Sequence, residues 1–277
     1  NRYRYEYQAP NYYRPSLFGG FRFLPPVIKY LLIINAATFL VVIFLGNFRI
    51  GDFYFASVLN MIFALYPLGH GFYPWQLVTY MFMHGGIGHI FFNMFALWMF
   101  GNALENYWGG KKFLIYYLIT GIGAGLVHTL VNYMNIMPLV NEIDNLVNNP
   151  GSNVPSQELL DNFRYFASVE NLTQSQSANL LLFREWVLNK PVVVGASGAV
   201  FGLLLAFGML FPNSVIYLYF ALPIKAKYFV MLYGGLELYS GIQSSPGDNV
   251  AHFAHVGGMI FGYILILYWK KTSNKAW

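Results

Sequence analysis

The stretch that decides the fold is VVVGASGAVFGLLLAFGML, residues 192–210, which places Ser197 between glycines in a run apolar enough to cross a membrane. A second stretch, AHFAHVGGMIFGYILIL at 251–267, places His255 in similar surroundings. Polar groups at membrane depth are energetically expensive, and they usually face a bundle interior or a wet cavity. A hydroxyl and an imidazole in such segments therefore predict hydrolysis inside a bilayer.

The composition indicates a polytopic membrane protein. Of 277 residues, 57% are hydrophobic and 10% are charged, whereas soluble domains carry about 25% charged residues. We expect an all-α membrane protein, a bundle of six transmembrane helices, because six windows approach the spanning length of about 20 residues. These windows are 27–46, 76–100, 112–134, 192–211, 226–243 and 250–269. The first is expected to be a retained span, since no apolar signal core precedes it.

The basic residues predict the orientation of these spans. Four of the 16 Lys and Arg residues flank one side: Arg49, Arg164, Arg184 and Lys190. The other 12 flank the opposite side: Arg2, Arg4, Arg14, Arg22, Lys29, Lys111, Lys112, Lys225, Lys227, Lys270, Lys271 and Lys275. Because basic flanks favour the cytoplasm, we expect both termini there, in an integral multi-pass protein of the bacterial inner (cytoplasmic) membrane. The net charge of +5 then reflects orientation and not nucleic-acid binding.

The chain divides into a cytoplasmic tail at 1–26, a membrane domain at 27–270 and a second tail at 271–277. Residues 136–190 form a polar, Asn-rich extracytoplasmic insertion between the third and fourth spans. Ser156 is a candidate cap for a helix over QELLDNFRYFASV, and a second helix is predicted over 173–189. Loops of this length are usually functional or disordered. We expect the insertion to cap the external mouth of the site or to bind a membrane-protein partner; the alternative is a passive, merely tolerated insertion.

Ser197 needs two further kinds of group to act as a nucleophile. A serine hydroxyl requires a base within hydrogen-bond reach and donors for the oxyanion that forms. His252 and His255 compete as the base; the deeper position of His255 favours it, and His252 is expected to reach the water-filled cavity or a loop. Gly195 and Gly198 permit a strained entry into the helix, which leaves free amides where negative charge is favoured.

Small residues spaced four apart recur in both key segments. The pair in the serine segment is Gly198 and Gly202, and the pair in the histidine segment is Gly258 and Gly262. Because this spacing lets membrane helices approach closely, it predicts contact between the fourth and sixth helices. Helix packing without catalysis is the simpler interpretation of the same pattern.

The second predicted span supplies further hydrogen-bond donors. In HGGIGHIFFNMF, residues 84–95, His89 and Asn93 are four apart on an otherwise apolar helix. Both side chains lie on one face and need a shared partner. That partner is an oxyanion or, in the simpler interpretation, a neighbouring helix. His84 lies at the expected mouth of the helix.

Other chemistries are disfavoured. The absence of cysteine excludes a thiol nucleophile, disulfides and thiolate metal sites. There is no HExxH motif, and His252 and His255 have no carboxylate beside them in sequence, so neither a metal nor a cofactor is expected. Glu237 and Asp248 are interpreted as structural, and no carboxylate is assigned to a catalytic triad.

Three of these segments, in the same order, resemble the rhomboid family of intramembrane serine proteases: HGGIGHIFFN, GASG and AHVGGMIFG. The resemblance covers 27–270. It implies that Ser197 is the nucleophile and His255 the base, and that His89 and Asn93 join the Ser197 amide as oxyanion donors. The supporting residues that it implies are Gly195, Gly198 and Gly258.

The stretch GNALENYWGGKKF, with Gly101 and Glu105, also looks like the exit of the family's second span. Two features depart from the family pattern. The family's first loop often carries Trp-Arg, whereas here Trp75 is followed by Gln76, and the insertion at 136–190 is longer than the usual third loop.

The resemblance implies an endopeptidase that cuts transmembrane segments of other membrane proteins in the lipid bilayer by means of a Ser-His dyad. One alternative is a catalytically idle rhomboid-like scaffold that binds transmembrane partners through 136–190. A transporter with broken helices would predict paired discontinuous segments in two halves, and this sequence has no such repeat.

Overall fold

A computed structural model describes residues 22–68, 71–149, 154–169, 176–189, 192–218, 221–243 and 251–272. Most of the predicted tails, and Asp248, lie outside these ranges. Within them the helices are α1 (Pro26–Leu45), α2 (Phe55–Phe63), α3 (Gln76–Thr79), α4 (Ile87–Trp108), α5 (Gly110–Asn148), α6 (Gln157–Val169), α7 (Gln176–Asn189), α8 (Ser197–Leu210), α9 (Ala226–Ile242) and α10 (His252–Thr272). Two short antiparallel hairpins pair β1 (Arg49–Ile50) with β2 (Phe53–Tyr54), and β3 (Val215–Leu218) with β4 (Leu222–Lys225).

Among the described residues, four helices are long and apolar enough to cross a membrane: α1, α4, α5 and α10. The α8 helix is also apolar but has only 14 residues, which gives it a length of about 21 Å. The chain is therefore a helical integral membrane protein.

Two predicted windows have different boundaries in the structure. The window 76–100 begins too early, because residues 76–82 form α3 and a short 3-10 turn, and the spanning helix starts at Ile87 after Gly85 and Gly86. The window 112–134 ends too early, because α5 continues to Asn148 as a helix of 39 residues. Hydropathy follows apolar content, so it detects neither a glycine break nor a polar helical extension.

The main core is formed by side chains from α1, α4, α5, α8 and α10. Glycines let three of these helices approach closely. The predicted contact between the serine and histidine helices is confirmed, because Gly258 packs directly on the Gly198 carbonyl. The second member of each glycine pair packs on α5 instead: Gly202 lies against Thr120, and Gly262 lies against the Tyr116 ring.

The last turns of α5 form a separate small core with α6 and α7. Its buried members include Ile143, Phe166 and Phe183. The predicted cap of α6 is confirmed, since Ser156 Oγ accepts the Leu159 N–H at 3.2 Å. The helix predicted over 173–189 is observed from Gln176 to Asn189, and residues 170–175 lie outside the described part of the chain.

The exit of α4 holds the start of α1. The Glu105 carboxylate accepts the backbone N–H groups of Val27 at 3.0 Å and Ile28 at 2.8 Å, which are among the amides that a helix leaves without internal partners. A Cβ at Gly101 would lie 2.5 Å from the Ile28 side chain. The stretch containing Gly101 and Glu105 therefore docks α1 against α4.

Gln76 organises the loop that precedes α4. Its side chain is fully buried. Its Oε1 accepts the N–H groups of Tyr66 at 3.3 Å and Tyr73 at 3.1 Å, and its Nε2 donates to the carbonyls of Met61 and Gly71 at 3.2 Å. A neutral amide thus supports the loop at the position where the family often has arginine.

Candidate active site

Ser197 is held at the first position of α8 by its backbone. The preceding segment pairs with the first loop, where Val193 and Leu65 exchange backbone hydrogen bonds of 2.9 and 3.0 Å, and the Gly195 N–H donates to the Tyr80 carbonyl at 2.8 Å. The Val200 N–H donates to the Ala196 carbonyl at 3.0 Å. The amides at the start of α8, including that of Ser197, precede this bond and are open to an anionic ligand.

Gly195 is required for two reasons. Its φ of +121° lies in a region that L side chains rarely adopt, and a Cβ there would lie 2.5 Å from the Nε2 atom of His89. The prediction that Gly195 permits a strained entry is therefore confirmed. Because Gly195 has no side chain, the His89 ring lies directly against it, and Gly195 is two residues before Ser197 in sequence.

The His255 side chain contacts the Ser197 hydroxyl. Its Nε2 atom is 2.8 Å from Ser197 Oγ, within the range for transfer of a proton from a nucleophile to a base. Its ring stacks on Phe201, with centroids 4.2 Å apart and planes inclined by 8°. Phe201 is one turn after Ser197 on α8, so a single helix carries the nucleophile and fixes the plane of the base.

Glu237 is the functional candidate that the sequence interpretation missed. Its Oε2 atom is 2.7 Å from His255 Nδ1, so the expectation that no carboxylate supports the dyad is wrong. The contact forms because α9 packs against α10 and brings together residues 18 apart in sequence. A carboxylate inside a largely apolar helix was the signal that could have identified it.

The same carboxylate oxygen is also 2.7 Å from His252 Nδ1. His252 is 13% exposed, and the expectation that it reaches the water-filled cavity or a loop stays a prediction. An Nδ1–H donated to Glu237 leaves the Nε2 lone pair of His255 directed at Ser197, because the hydrogen bond at one ring nitrogen selects the tautomer. The structure thus brings Ser197, His255 and Glu237 into a row.

The predicted oxyanion donors lie together on the first turns of α4. The Gly85 N–H donates to His89 Nδ1 at 3.4 Å. This places the ring hydrogen on Nε2, the atom nearest Gly195. Asn93 is buried, and its Nδ2 donates to the His89 carbonyl at 2.9 Å. An amide nitrogen has two hydrogens, so one remains for a ligand.

The His84 side chain packs against one of these residues, His89. Its ring packs edge-on against His89, with centroids 5.1 Å apart. Burial, with a smaller contribution from His89, lowers the pKa of His84 to about 4. The imidazole at the mouth of α4 is therefore neutral at physiological pH.

Comparison with known proteins gives a consistent result. The family model described as the rhomboid domain matches residues 71–140 and 167–271, which together exceed half of the chain and leave 141–166 unmatched. An uncharacterised mitochondrial rhomboid protein of Schizosaccharomyces pombe is 28% identical over 72% of this chain and 52% of its own length.

Two bacterial relatives are named as proteases. Rhomboid protease AarA of Providencia stuartii is 26% identical over 72% of this chain and 59% of its own length. Rhomboid protease GluP of Bacillus subtilis is 46% identical over 52 residues, which are 19% of this chain and 10% of that protein. This chain spans 52% of the length of the Schizosaccharomyces pombe relative and 59% of the length of AarA.

Proposed function

This chain belongs to the rhomboid family, and on that premise we propose that it is an intramembrane serine endopeptidase that cleaves transmembrane segments of other membrane proteins. Ser197 is the nucleophile and His255 is the base. The observation that carries the proposal is the 2.8 Å separation of Ser197 Oγ and His255 Nε2 in a partly buried setting.

In the first half of the reaction, Ser197 Oγ attacks the scissile carbonyl carbon and its proton passes to His255 Nε2. Glu237 accepts the Nδ1–H throughout, which holds the ring in place and stabilises the imidazolium that forms. The oxyanion accepts hydrogen bonds from the Ser197 amide, His89 Nε2–H and Asn93 Nδ2–H.

In the second half, His255 returns its proton to the leaving amine, and an acyl-enzyme remains on Ser197. Water then attacks the ester carbonyl, with His255 again as the base. Hydrolysis releases the acid and restores the serine hydroxyl. These steps use side chains, the Ser197 backbone amide and water, and the proposed mechanism includes no cofactor.

The substrate must unwind before it is cut. Peptide bonds of a transmembrane helix are internally hydrogen-bonded and unavailable for attack. We therefore expect helix-breaking residues near the scissile bond of substrates.

We assign six spans to the membrane domain 27–270 by adding α8 and α9 to the four long helices. Basic residues flank the starts of α1, α5 and α9 and the end of α10. Ser197 and His252 lie at the opposite helix ends, so the positive-inside rule places cleavage near the extracytoplasmic face. The two termini then lie in the cytoplasm.

The relatives named above come from bacteria and from a mitochondrion. For this chain we retain the bacterial inner membrane as a proposal.

The orientation is tested by labelling introduced cysteines. A cysteine introduced at Ser175 should react with an impermeant maleimide added outside intact cells, and one introduced at Ser273 should not. The reverse labelling pattern would contradict the orientation.

We further propose that the insertion caps the site or binds a membrane-protein partner. The unit formed by the end of α5, α6 and α7 follows the third assigned span and leads directly to Ser197. An ion pair of 2.6 Å between Arg184 and Asp144 fastens α7 to α5.

Replacing 142–186 with a Gly/Ser linker should leave Ser197 reactive toward a small fluorophosphonate but change substrate choice. Unaltered substrate choice and an unaltered set of co-purifying proteins would show a passive insertion.

The test of the function itself is cleavage of a model single-span substrate in detergent and in liposomes. Wild type should cleave the substrate, and Ser197→Ala should not. An idle scaffold predicts that neither protein cleaves it.

A further inference from the structure

The proposed base, His255, is one of three potential metal ligands that lie close together. Glu237 comes from α9, and His252 and His255 come from the first turns of α10. Their ligand atoms all lie within 4.8 Å of one another. Both Nδ1 atoms are 2.7 Å from the same carboxylate oxygen. The side chains are 9%, 13% and 10% exposed, respectively, so the cluster is largely removed from bulk solvent.

Two imidazoles and one carboxylate are a ligand set suited to Zn²⁺. Zinc binds histidine nitrogen and carboxylate oxygen at about 2.0–2.2 Å, and three protein ligands leave a fourth position for water. Neighbouring ligand atoms around a tetrahedral ion lie about 3.3 Å apart, so each Nδ1–Oε2 separation would open by about 0.6 Å. The ligand atoms are at most 4.8 Å apart, so the widest pair would close by no more than about 1.5 Å. The carboxylate charge partly neutralises the cation.

We propose that Glu237, His252 and His255 form an inhibitory Zn²⁺ site that switches off the nucleophile. The metal takes the Nδ1 lone pairs of His252 and His255, and in each ring the hydrogen carried by Nδ1 in the free enzyme is released to water while one is taken up at Nε2. The His255 ring stays neutral, but Nε2–H now donates to Ser197 Oγ and has no lone pair to accept the serine proton. Chelation of the metal restores the hydrogen bond from Nδ1 to Glu237.

The binding half of this inference is independent of catalysis, whereas the inhibitory half rests on the proposed protease function. The two halves therefore need separate measurements. Zinc binding is measured on full-length Ser197→Ala protein, stripped with EDTA, by competition with a chromophoric zinc chelator. We expect one Zn²⁺ per chain, retained in excess Mg²⁺ because Mg²⁺ prefers oxygen ligands in octahedral geometry.

His252→Asn in the same background provides the sharpest variant. Asparagine keeps a side-chain N–H for Glu237 but replaces the imidazole ligand, so zinc affinity should fall at least about 10-fold, the lower end of the loss caused by outer-shell changes at metal sites. The matched control is His128→Gln, which removes a buried histidine on α5 and should leave the affinity unchanged. Absence of 1:1 binding, or equal affinity in His252→Asn, would overturn the site.

Inhibition is measured as the rate of fluorophosphonate labelling of wild type, with and without Zn²⁺. Zinc should slow labelling, EDTA should restore it, and His252→Asn should need at least about 10-fold more zinc for the same fractional loss relative to its own zinc-free rate. Tight binding with undiminished labelling would overturn the inhibition. Failure of wild type to label without zinc would refute the protease function, and the binding result would still decide the site.

Discussion

Gly195→Ala tests whether the backbone before Ser197 has to be glycine. The new methyl group would lie 2.5 Å from His89 Nε2, and the residue would keep a φ of +121°. Ordinary contact begins near 3.4 Å, so the His89 ring or the backbone must move by about 1 Å, and the backbone conformation costs about 1–3 kcal/mol for a residue other than glycine.

A movement of this size takes the proposed His89 donor out of position for the oxyanion. Loss of one such donor lowers kcat by about 10²–10³-fold. The assay is single-span substrate cleavage under saturating conditions, normalised to folded protein by thermal unfolding. We expect kcat to fall by at least about 10²-fold and the unfolding midpoint to fall as well.

The matched control is Gly235→Ala. Gly235 lies within α9, and a Cβ there meets nothing within 4 Å. Alanine should therefore be tolerated, and its higher helix propensity contributes up to about 1 kcal/mol of stability. A kcat for Gly195→Ala within twofold of wild type would refute the assignment of the oxyanion site to this backbone.

Three further predictions concern the side chains around the serine. Glu237→Gln preserves shape but removes the charge that faces the imidazolium, so kcat should fall at least about 10²-fold at a matched folded fraction; wild-type kcat would show that Glu237 is structural. Asn93→Ala and His89→Ala should each lower kcat by about 10²–10³-fold with little change in KM, whereas stability loss alone would indicate helix packing. Because the pKa of His84 is lowered to about 4 in the folded state from about 6.5 unfolded, its contribution to stability is complete above about pH 6.5 and is lost as pH falls toward 4, by up to about 3 kcal/mol. His84→Gln should flatten that part of a curve of unfolding midpoint against pH, and an unchanged slope would contradict the assignment.

The parts of the site that the sequence predicts are those encoded locally. Ser197 lies between glycines, and His255 lies in a glycine-bearing apolar segment, so a few neighbouring residues are sufficient to identify each one. The contact of Gly198 with Gly258 and the cap at Ser156 follow from short spacings in the same way. Local sequence is sufficient because small residues and caps act within one or two turns of a helix.

The contacts that escaped prediction depend on tertiary packing. Glu237 lies 18 residues from His255; a carboxylate in a largely apolar helix signals a buried partner, but the partner is fixed only when α9 packs against α10. Gln76 shows the same limit, because its partners include Met61 in α2 and Tyr66 in the loop that follows, whose path hydropathy does not encode. A buried polar residue must find partners, but composition alone does not name them.

The most direct test of the central claim is fluorophosphonate labelling of the full-length protein in detergent, with the modified residue identified by mass spectrometry. Wild type should be labelled at Ser197, Ser197→Ala should not be labelled, and His255→Ala should lose labelling while its thermal unfolding stays near that of wild type. Labelling of Ser197→Ala at the wild-type level, or of His255→Ala at the wild-type rate, would contradict the Ser197–His255 assignment.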